Sequence, residues 1–159
     1  MGLLTSDDAG ATWNPVSLQG EIDFHALAVS GADVIGDGGG QALMVSDDDE
    51  KSCNGAKVQA VTLADSGERI LATTQSGLQV STDGGKAFTT VSDAPVLALL
   101  SAGTHATMLG LGPQGVMCSS TDCGESWTRV GEAPDAQAAA AARDGGGFAL
   151  SQSMLFSIG

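Results

Sequence analysis

The densest group of potentially reactive side chains lies in residues 118–130, "CSSTDCGESWTRV". Ser120 lies between two thiols and close to Asp122, so a nucleophile and an acid are both present. A nucleophilic serine, however, needs a base such as histidine or lysine beside its hydroxyl. This stretch contains neither residue. Its side chains are therefore interpreted as turn-forming, not catalytic.

The cysteines of this stretch, Cys118 and Cys123, do not form a Cys-x-x-Cys pair, so their spacing gives no zinc signature. Two alternatives remain open for them. They could form a local disulfide in an exported protein, or stay reduced because the expected strand partner of Cys118 lies nearer Trp127. The third cysteine, Cys53, is predicted to be a small core residue.

The same pattern of residue types recurs along the chain at a nearly constant period. Serine, aspartate, glycine and an aromatic residue appear in the order Ser-x-Asp-x-Gly-x-x-aromatic. The three intact copies are Ser6, Asp8, Gly10, Trp13; Ser81, Asp83, Gly85, Phe88; and Ser120, Asp122, Gly124, Trp127. A degenerate copy keeps Ser46 and Asp48 but has Glu50 and Cys53 in the glycine and aromatic positions. A repeat of this kind indicates an array of similar structural units.

Each residue type in the motif has a structural use in a tight hairpin. The aspartate can accept backbone N–H groups of the turn, and the glycine allows a positive φ. The aromatic residue begins the return strand, and we expect Trp13, Phe88 and Trp127 to be buried between neighbouring sheets. Between the motifs lie three short β-prone runs, which with the strand after each motif give four strands per repeat.

The motif resembles the Asp-box, or BNR repeat, of β-propellers found in sialidases, sortilin-type receptors and photosystem assembly factors. The stretches "EIDFHALAV" and "ILATTQSGLQVSTDGGKAF" are similar to exported bacterial propellers that carry a glycosyl-hydrolase family label. The resemblance implies an all-β fold of four-stranded antiparallel blades. Residues 1–159 would then be one propeller domain of about four repeats, incomplete at both ends and part of a larger wheel.

Two segments are less regular than the rest of this pattern. Alanine favours helix, so local propensity alone predicts a helix over residues 136–143, whereas the repeat phase predicts a first strand. We expect the strand, because small side chains suit the crowded axis. The acidic run at 46–50 lacks the glycine and glutamate of a calcium loop and is interpreted as a solvated hairpin tip.

Composition excludes several functional classes. Six Lys and Arg residues against nineteen Asp and Glu give a net charge of −13, which repels phosphate backbones and anionic lipid. The longest apolar run, 94–100, is too short to span a bilayer, and no signal peptide opens the chain. We therefore expect neither nucleic-acid binding nor membrane insertion, and we predict no cofactor and no metal site.

Two functional hypotheses remain, a non-catalytic module that binds a protein or glycan and a glycoside hydrolase. Sialidases of this repeat class use a tyrosine–glutamate nucleophile pair. The chain has no tyrosine, so sialidase chemistry is contradicted. Asp23 and His25 lie on the same side of a predicted first strand, where they could line the central channel or belong to a packed strand with a polar lining. The binding module is favoured, since no catalytic set is visible. The resemblance implies an extracellular or cell-envelope location, and a homodimer could complete the propeller.

Overall fold

The computed structural model describes residues 2–39, 42–46, 55–142 and 145–159. Within them the chain is all-β, as predicted, and its one helical element is a 3-10 turn over Pro113–Gly115. None of the helical structure in this described part is long and apolar enough to cross a membrane.

The strands form five antiparallel sheets, named sheets I to V in chain order. Sheet I contains β1 (Leu3–Thr5) and β2 (Asn14–Ser17). Sheet II contains β3 (Ala26–Ser30), β4 (Asp33–Asp37) and β5 (Met44–Ser46). Sheet III contains β6 (Thr62–Asp65), β7 (Ile70–Thr74), β8 (Gly77–Ser81) and β9 (Thr89–Thr90). Sheet IV contains β10 (Leu99–Ala102), β11 (Met108–Leu111), β12 (Val116–Ser120) and β13 (Thr128–Glu132). Sheet V contains β14 (Ala138–Ala141), β15 (Gly147–Leu150) and β16 (Leu155–Ile158).

Every sheet is a meander in which strands that follow each other in sequence are paired. The first strands of successive sheets also contact each other, β3 with β6, β6 with β10 and β10 with β14. The predicted four strands per repeat are confirmed in sheets III and IV. Sheet II has three strands in the described residues. Fourth strands begin eight residues after the motif serine, which for Ser46 gives residue 54, but residues 55–60 are not in a strand.

Among the described residues, the core consists of three apolar clusters, one at each junction between consecutive sheets from II to V. Ile35 and Leu43 of sheet II pack with Leu63 and Ile70 of sheet III. The next two clusters join sheet III to IV and sheet IV to V in the same way. Each sheet is therefore stabilised mainly by burying its faces against its sequence neighbours.

The alanine-rich segment forms a strand, as the repeat phase predicts. Ala138–Ala141 pairs with Gly147–Leu150 in a regular antiparallel ladder. The ladder and the packing of Ala139 and Ala141 against the last cluster outweigh the helix propensity of alanine, which is a small effect per residue.

The register is repeated from sheet to sheet and defines equivalent positions. The motif serine lies opposite the first residue of the second strand: Ser81 opposite Ile70, and Ser120 opposite Met108. In sheet II, Ser46 lies opposite Val34. In sheet V the residue opposite Gly147 is Ile158, so an isoleucine takes the serine position there.

Candidate functional site

The three intact motifs form nearly identical hydrogen-bonded hairpins. In each, the serine hydroxyl donates to the aspartate Oδ1 at 2.7–2.9 Å and accepts the glycine N–H at 2.7–2.9 Å. The aspartate Oδ1 also accepts a backbone N–H four residues on: Thr12 to Asp8, Ala87 to Asp83, Ser126 to Asp122. The serine and aspartate side chains thus bond to the turn itself, which is structural chemistry.

The tip of each hairpin has two successive residues with positive φ. The motif glycines Gly10, Gly85 and Gly124 have φ of 88°, 84° and 81°. The residue before each glycine is also left-handed: Ala9 and Cys123 at 58°, and Gly84 at 73°. Because side chains disfavour this region, the hairpin geometry overrides local preference at Ala9 and Cys123.

These hydrogen bonds hold the motif carboxylates in their charged form. Bonds from the Ser126 hydroxyl and N–H, then from the Ser120 hydroxyl, lower the pKa of Asp122 from 3.8 to about 2. The Thr12 side chain has the largest effect on Asp8 and lowers its pKa to about 2, and the pKa of Asp83 is lowered chiefly by the Ala87 N–H. Hydrogen bonds to the ionised form are the cause in all three.

The lowered values predict a loss of stability in acid. A folded-state pKa below the unfolded value stabilises the protein above about pH 4, and this contribution disappears as the pH falls from 3.8 toward about 2. We expect Asp122→Asn to reduce the difference in unfolding free energy between pH 6 and pH 2.5, measured by denaturant titration. Ser126→Ala, which keeps the carboxylate but removes its main donor, should reduce that difference by a smaller amount. If the difference in unfolding free energy between pH 6 and pH 2.5 is unchanged in both variants, the lowered pKa of Asp122 does not contribute to stability as expected.

The motif hairpins of sheets III and IV dock on the preceding sheet. Arg69 of sheet III forms an ion pair with Glu125, and the Cys123 thiol lies 4.0 Å from the carbonyl of Ser66. Phe88 and Trp127 are half-buried against the apolar clusters. The prediction that Trp13 is buried is wrong: its side chain is 60% exposed, because no preceding sheet covers sheet I in the described chain.

The degenerate motif lies only partly within the described residues. Ser46 ends β5, whereas Asp48 and Cys53 lie outside the described residues. The disulfide that the sequence left open is absent, since Cys118 and Cys123 both have free thiols. Cys118 is buried in the cluster between sheets III and IV, and Cys123 turns toward sheet III from the hairpin tip. Burial also raises the pKa of the Cys118 thiol.

Asp23 and His25 are not on the first strand, as was expected, because the ladder of sheet II begins at Ala26. Both are exposed, and the N–H of His25 donates to the carbonyl of Asp37 at 2.7 Å. Val61, Ala98 and Gln137 make the equivalent bond in sheets III, IV and V. His25 therefore belongs to a series of exposed positions directly before the first strands. Its role in lining a channel stays a prediction.

The same end of the sheets carries the turns between second and third strands, since each equivalent bond reaches the last or the penultimate residue of a second strand. Two open clefts lie there at corresponding places on sheets III and V. The first, of about 440 Å³, is lined by Lys57, Val58, Gln59, Thr74, Gln75, Ser76 and Gln79. The second, of about 380 Å³, is lined by Pro134, Asp135, Gln137, Ser151, Gln152, Ser153 and Met154. Each cleft is formed by the segment that leads into the first strand of its sheet and by the turn between the second and third strands.

Glutamine recurs in these turns, a signal that was missed in the sequence. Gln75, Gln114 and Gln152 are exposed residues in the turns of sheets III, IV and V, while Gln41, between β4 and β5, lies outside the described residues. Gln59 and Gln137 face the same clefts from the entering segments. We call this end of the sheets the glutamine face. Gln75 and Gln114 each lie six residues before a motif serine, a common spacing that could have revealed them.

The chemistry of the glutamine face suits binding better than hydrolysis. A carboxamide both donates and accepts hydrogen bonds, whereas a glycosidase uses two carboxylates about 5–10 Å apart. The two clefts together have one carboxylate among their lining residues, Asp135. In the described part of the chain, no three His, Cys, Asp or Glu side chains are grouped so that they could hold a metal ion.

Comparison with solved structures identifies the fold. The chain is similar to YCF48 bound to a D1 peptide, with a TM-score of 0.64 and 15% identity over 94% of this chain and 56% of that one. It is similar to the GH74 xyloglucanase of Xanthomonas campestris, with a TM-score of 0.63 and 18% identity over 93% of this chain and 30% of that one. The computationally designed protein Ika4 matches 87% of this chain and 93% of its own, with a TM-score of 0.58 and 13% identity.

YCF48 and the xyloglucanase are β-propellers, and the all-β sheets described above have the same architecture. The chain is therefore a β-propeller array, and its sheets are blades. It spans about half the length of YCF48 and less than a third of the xyloglucanase. No protein-family model and no curated protein sequence matches it.

Proposed function

We propose that this chain is a non-catalytic propeller module whose glutamine face binds an extended segment of a partner protein. The observation that carries the proposal is the pair of equivalent clefts, each with a glutamine from the entering segment and one from the turn. An extended peptide presents N–H and C=O groups alternately, and carboxamides can pair with both. Repetition of the cleft suits a ligand that crosses several blades.

The charge of the chain indicates which peptides would be favoured. With a net charge of −13, the domain attracts cationic segments at a distance and repels acidic ones. The similarity to YCF48, which was solved with a bound peptide, supports a peptide ligand but does not identify the partner.

The resemblance found in the sequence supports further assignments. We assign the serine–aspartate hairpins to the Asp-box class, as their repeated geometry and phase support. Together with the propeller fold, this favours the exported, cell-envelope setting that the resemblance implies. We treat residues 1–159 as one propeller domain.

A peptide-array screen tests the proposed function. Basic peptides are expected to bind, and Gln75→Ala and Gln152→Ala should each weaken the best peptide about three- to tenfold by removing hydrogen bonds. Gln19→Ala is the matched control, because Gln19 is an exposed glutamine after β2 and lies in neither cleft. Equal effects of all three substitutions would contradict a role for the glutamine face.

The second candidate is a glycoside hydrolase or glycan-binding module, which the similarity in fold to the xyloglucanase favours. Its carboxylates would have to come at least partly from outside this chain. A glycan array and a panel of chromogenic glycosides, run beside the peptide array, distinguish the two. Glycan binding without peptide binding, or turnover of any glycoside, would replace the first proposal by the second.

A further inference from the structure

Every junction between blades II and V uses the same two positions. The first is the second-strand residue that follows the one opposite the motif serine: Ile35, Leu71 and Leu109, each at most 2% exposed. The second lies on the first strand of the following blade and is occupied by Leu63, Leu100 and Ala139. At each of the three junctions, the pair shares one apolar cluster. The array therefore has one recurring contact between blades.

At the C-terminal end, the first of these positions is uncovered. Phe148 is the second residue of β15 and corresponds to Leu71 and Leu109, yet it is 45% exposed. Leu150 on the same face is 50% exposed. The opposite face of β15 is buried normally, since Ala149 belongs to the cluster with blade IV. Blade V thus presents half of a blade junction to solvent.

The other half of this junction is exposed on blade II. Leu27 lies opposite Gly36, as Leu63 lies opposite Ala72 and Leu100 opposite Gly110, so Leu27 occupies the second recurring position. It is 44% exposed, and Val29 on the same side is 62% exposed.

Leu27 and Val29 are exposed because of the strands that make up sheet I. Its two strands flank the Ser6 motif hairpin, as β8 and β9 flank the Ser81 motif and β12 and β13 the Ser120 motif, so they are third and fourth strands. In the part of the chain that the structure describes, sheet I accordingly has no first and second strands to cover the inner part of blade II.

We propose that two copies of this chain associate so that β14 and β15 of one copy complete sheet I of the other. Blade V supplies the inner strands that sheet I lacks, and its exposed face then lies on blade II of the second copy. Phe148 would meet Leu27 of the second copy as Leu71 meets Leu100 within the chain. With two-fold symmetry, blades II to IV of both copies and two composite blades make a closed ring of eight.

A second copy is favoured over closure within one chain because both halves of the junction are exposed in the single chain. Phe148 and Leu27 therefore do not cover each other within one chain. Association also removes the free edges and apolar faces at the two ends, which otherwise invite aggregation. A chain of similar length, the designed Ika4, has a related architecture in a crystal.

The composite blade requires one exchange of strands. β16 and β1 are both third strands, so β1 of the second copy takes the place of β16 beside β15. By the register of blades III and IV, Ser6 would then lie opposite Gly147 and Thr5 opposite Phe148. In the single chain β16 leaves Leu155 66% exposed, and the exchange moves its Phe156 and Ile158 off the cluster between blades IV and V.

The first test is the molar mass of the purified chain by light scattering at about 0.15 M salt, which screens the repulsion between two acidic chains. The proposal expects twice the mass of one chain. Phe148→Glu and Leu27→Lys should each give a monomer, because each places a charge in both junctions of the dimer. Val96→Glu is the matched control: Val96 is 71% exposed but lies before β10, away from the end faces, and this variant should remain dimeric.

Mixing the two monomeric variants tests the contact itself. A heterodimer of Phe148→Glu with Leu27→Lys has one unaltered junction and one junction that pairs the new glutamate with the new lysine. The mixture should therefore recover the dimer mass, whereas two copies of the same variant should not. This result holds even if one variant alone is poorly folded, since partner-dependent recovery needs both faces.

Three outcomes would overturn the proposal. These are a compact monomer of the unaltered chain, a dimer that survives both Phe148→Glu and Leu27→Lys, or a mixture of the variants that stays monomeric. A monomer would indicate closure within the chain, or strands supplied by a longer protein. Because Phe148 and Leu27 are outside both clefts, loss of the dimer and loss of peptide binding are separate results.

Discussion

Gly124→Ala is expected to destabilise the protein by about 3 kcal/mol or more, through a positive φ and a clash together. Gly124 has φ of 81°, and a β-carbon there would lie 2.3 Å from Cδ2 of Leu71 in the preceding blade. Leu71 is fully buried, so its side chain has little room to move. Urea unfolding followed by tryptophan fluorescence and circular dichroism measures the change.

The glycines of the other two motifs separate the effect of the positive φ from the effect of the clash. Gly10 and Gly85 have nearly the same φ, but the nearest atoms to an added β-carbon are 3.7 Å away at Gly10 and 3.4 Å away at Gly85. Gly10→Ala and Gly85→Ala should therefore cost about 1–2 kcal/mol each, from backbone strain alone. Equal costs at all three glycines would show that contact with the preceding blade is unimportant.

Asp37→Asn is expected to cost about 2 kcal/mol, because Asp37 connects two blades through a buried carboxylate. Its Oδ2 accepts the N–H of Ala60 at 2.6 Å, at the entry to blade III, and its Oδ1 accepts the N–H of Gly39 at 2.7 Å. An asparagine has the same shape but one acceptor oxygen, so its NH₂ group must face one of these donors.

Asp135→Asn is the matched control for Asp37→Asn, since Asp135 is exposed and the change should stay within about 0.5 kcal/mol. Both variants should be measured by urea unfolding at one protein concentration, because association would make stability depend on concentration. A cost at Asp37 no larger than at Asp135 would mean that the bridge between blades II and III contributes little.

The fold was predictable because hairpin residues have strong local preferences and recur in phase. Ser81, Asp83 and Gly85 specify the same hydrogen bonds as Ser120, Asp122 and Gly124, so sequence spacing alone located the strands between them. The phase also predicted the strand at Ala138–Ala141 against its helix propensity. A repeat constrains the fold more strongly than the propensity of one segment.

Other features depend on which blades and strands lie next to a residue, and the local sequence does not show this. Trp13 has the same motif as Trp127, but its exposure is decided by the absence of a preceding blade in the described chain. Asp23 and His25 alternate like strand residues, yet the ladder starts after them. The glutamines were missed because polar turn residues carry no hydrophobic pattern, and a residue type repeated in turns becomes visible only when the blades are aligned.

The blade junctions also bear on how the chain acquires its structure. Each apolar cluster joins segments that are close in sequence, and each hairpin is closed by its own side chains. Folding can therefore start at any one pair of blades and spread outward, as in a one-dimensional array, without first closing a long loop. A duplication or loss of one repeat would then preserve the remaining contacts, so the chain could change its number of blades during evolution without remaking its core.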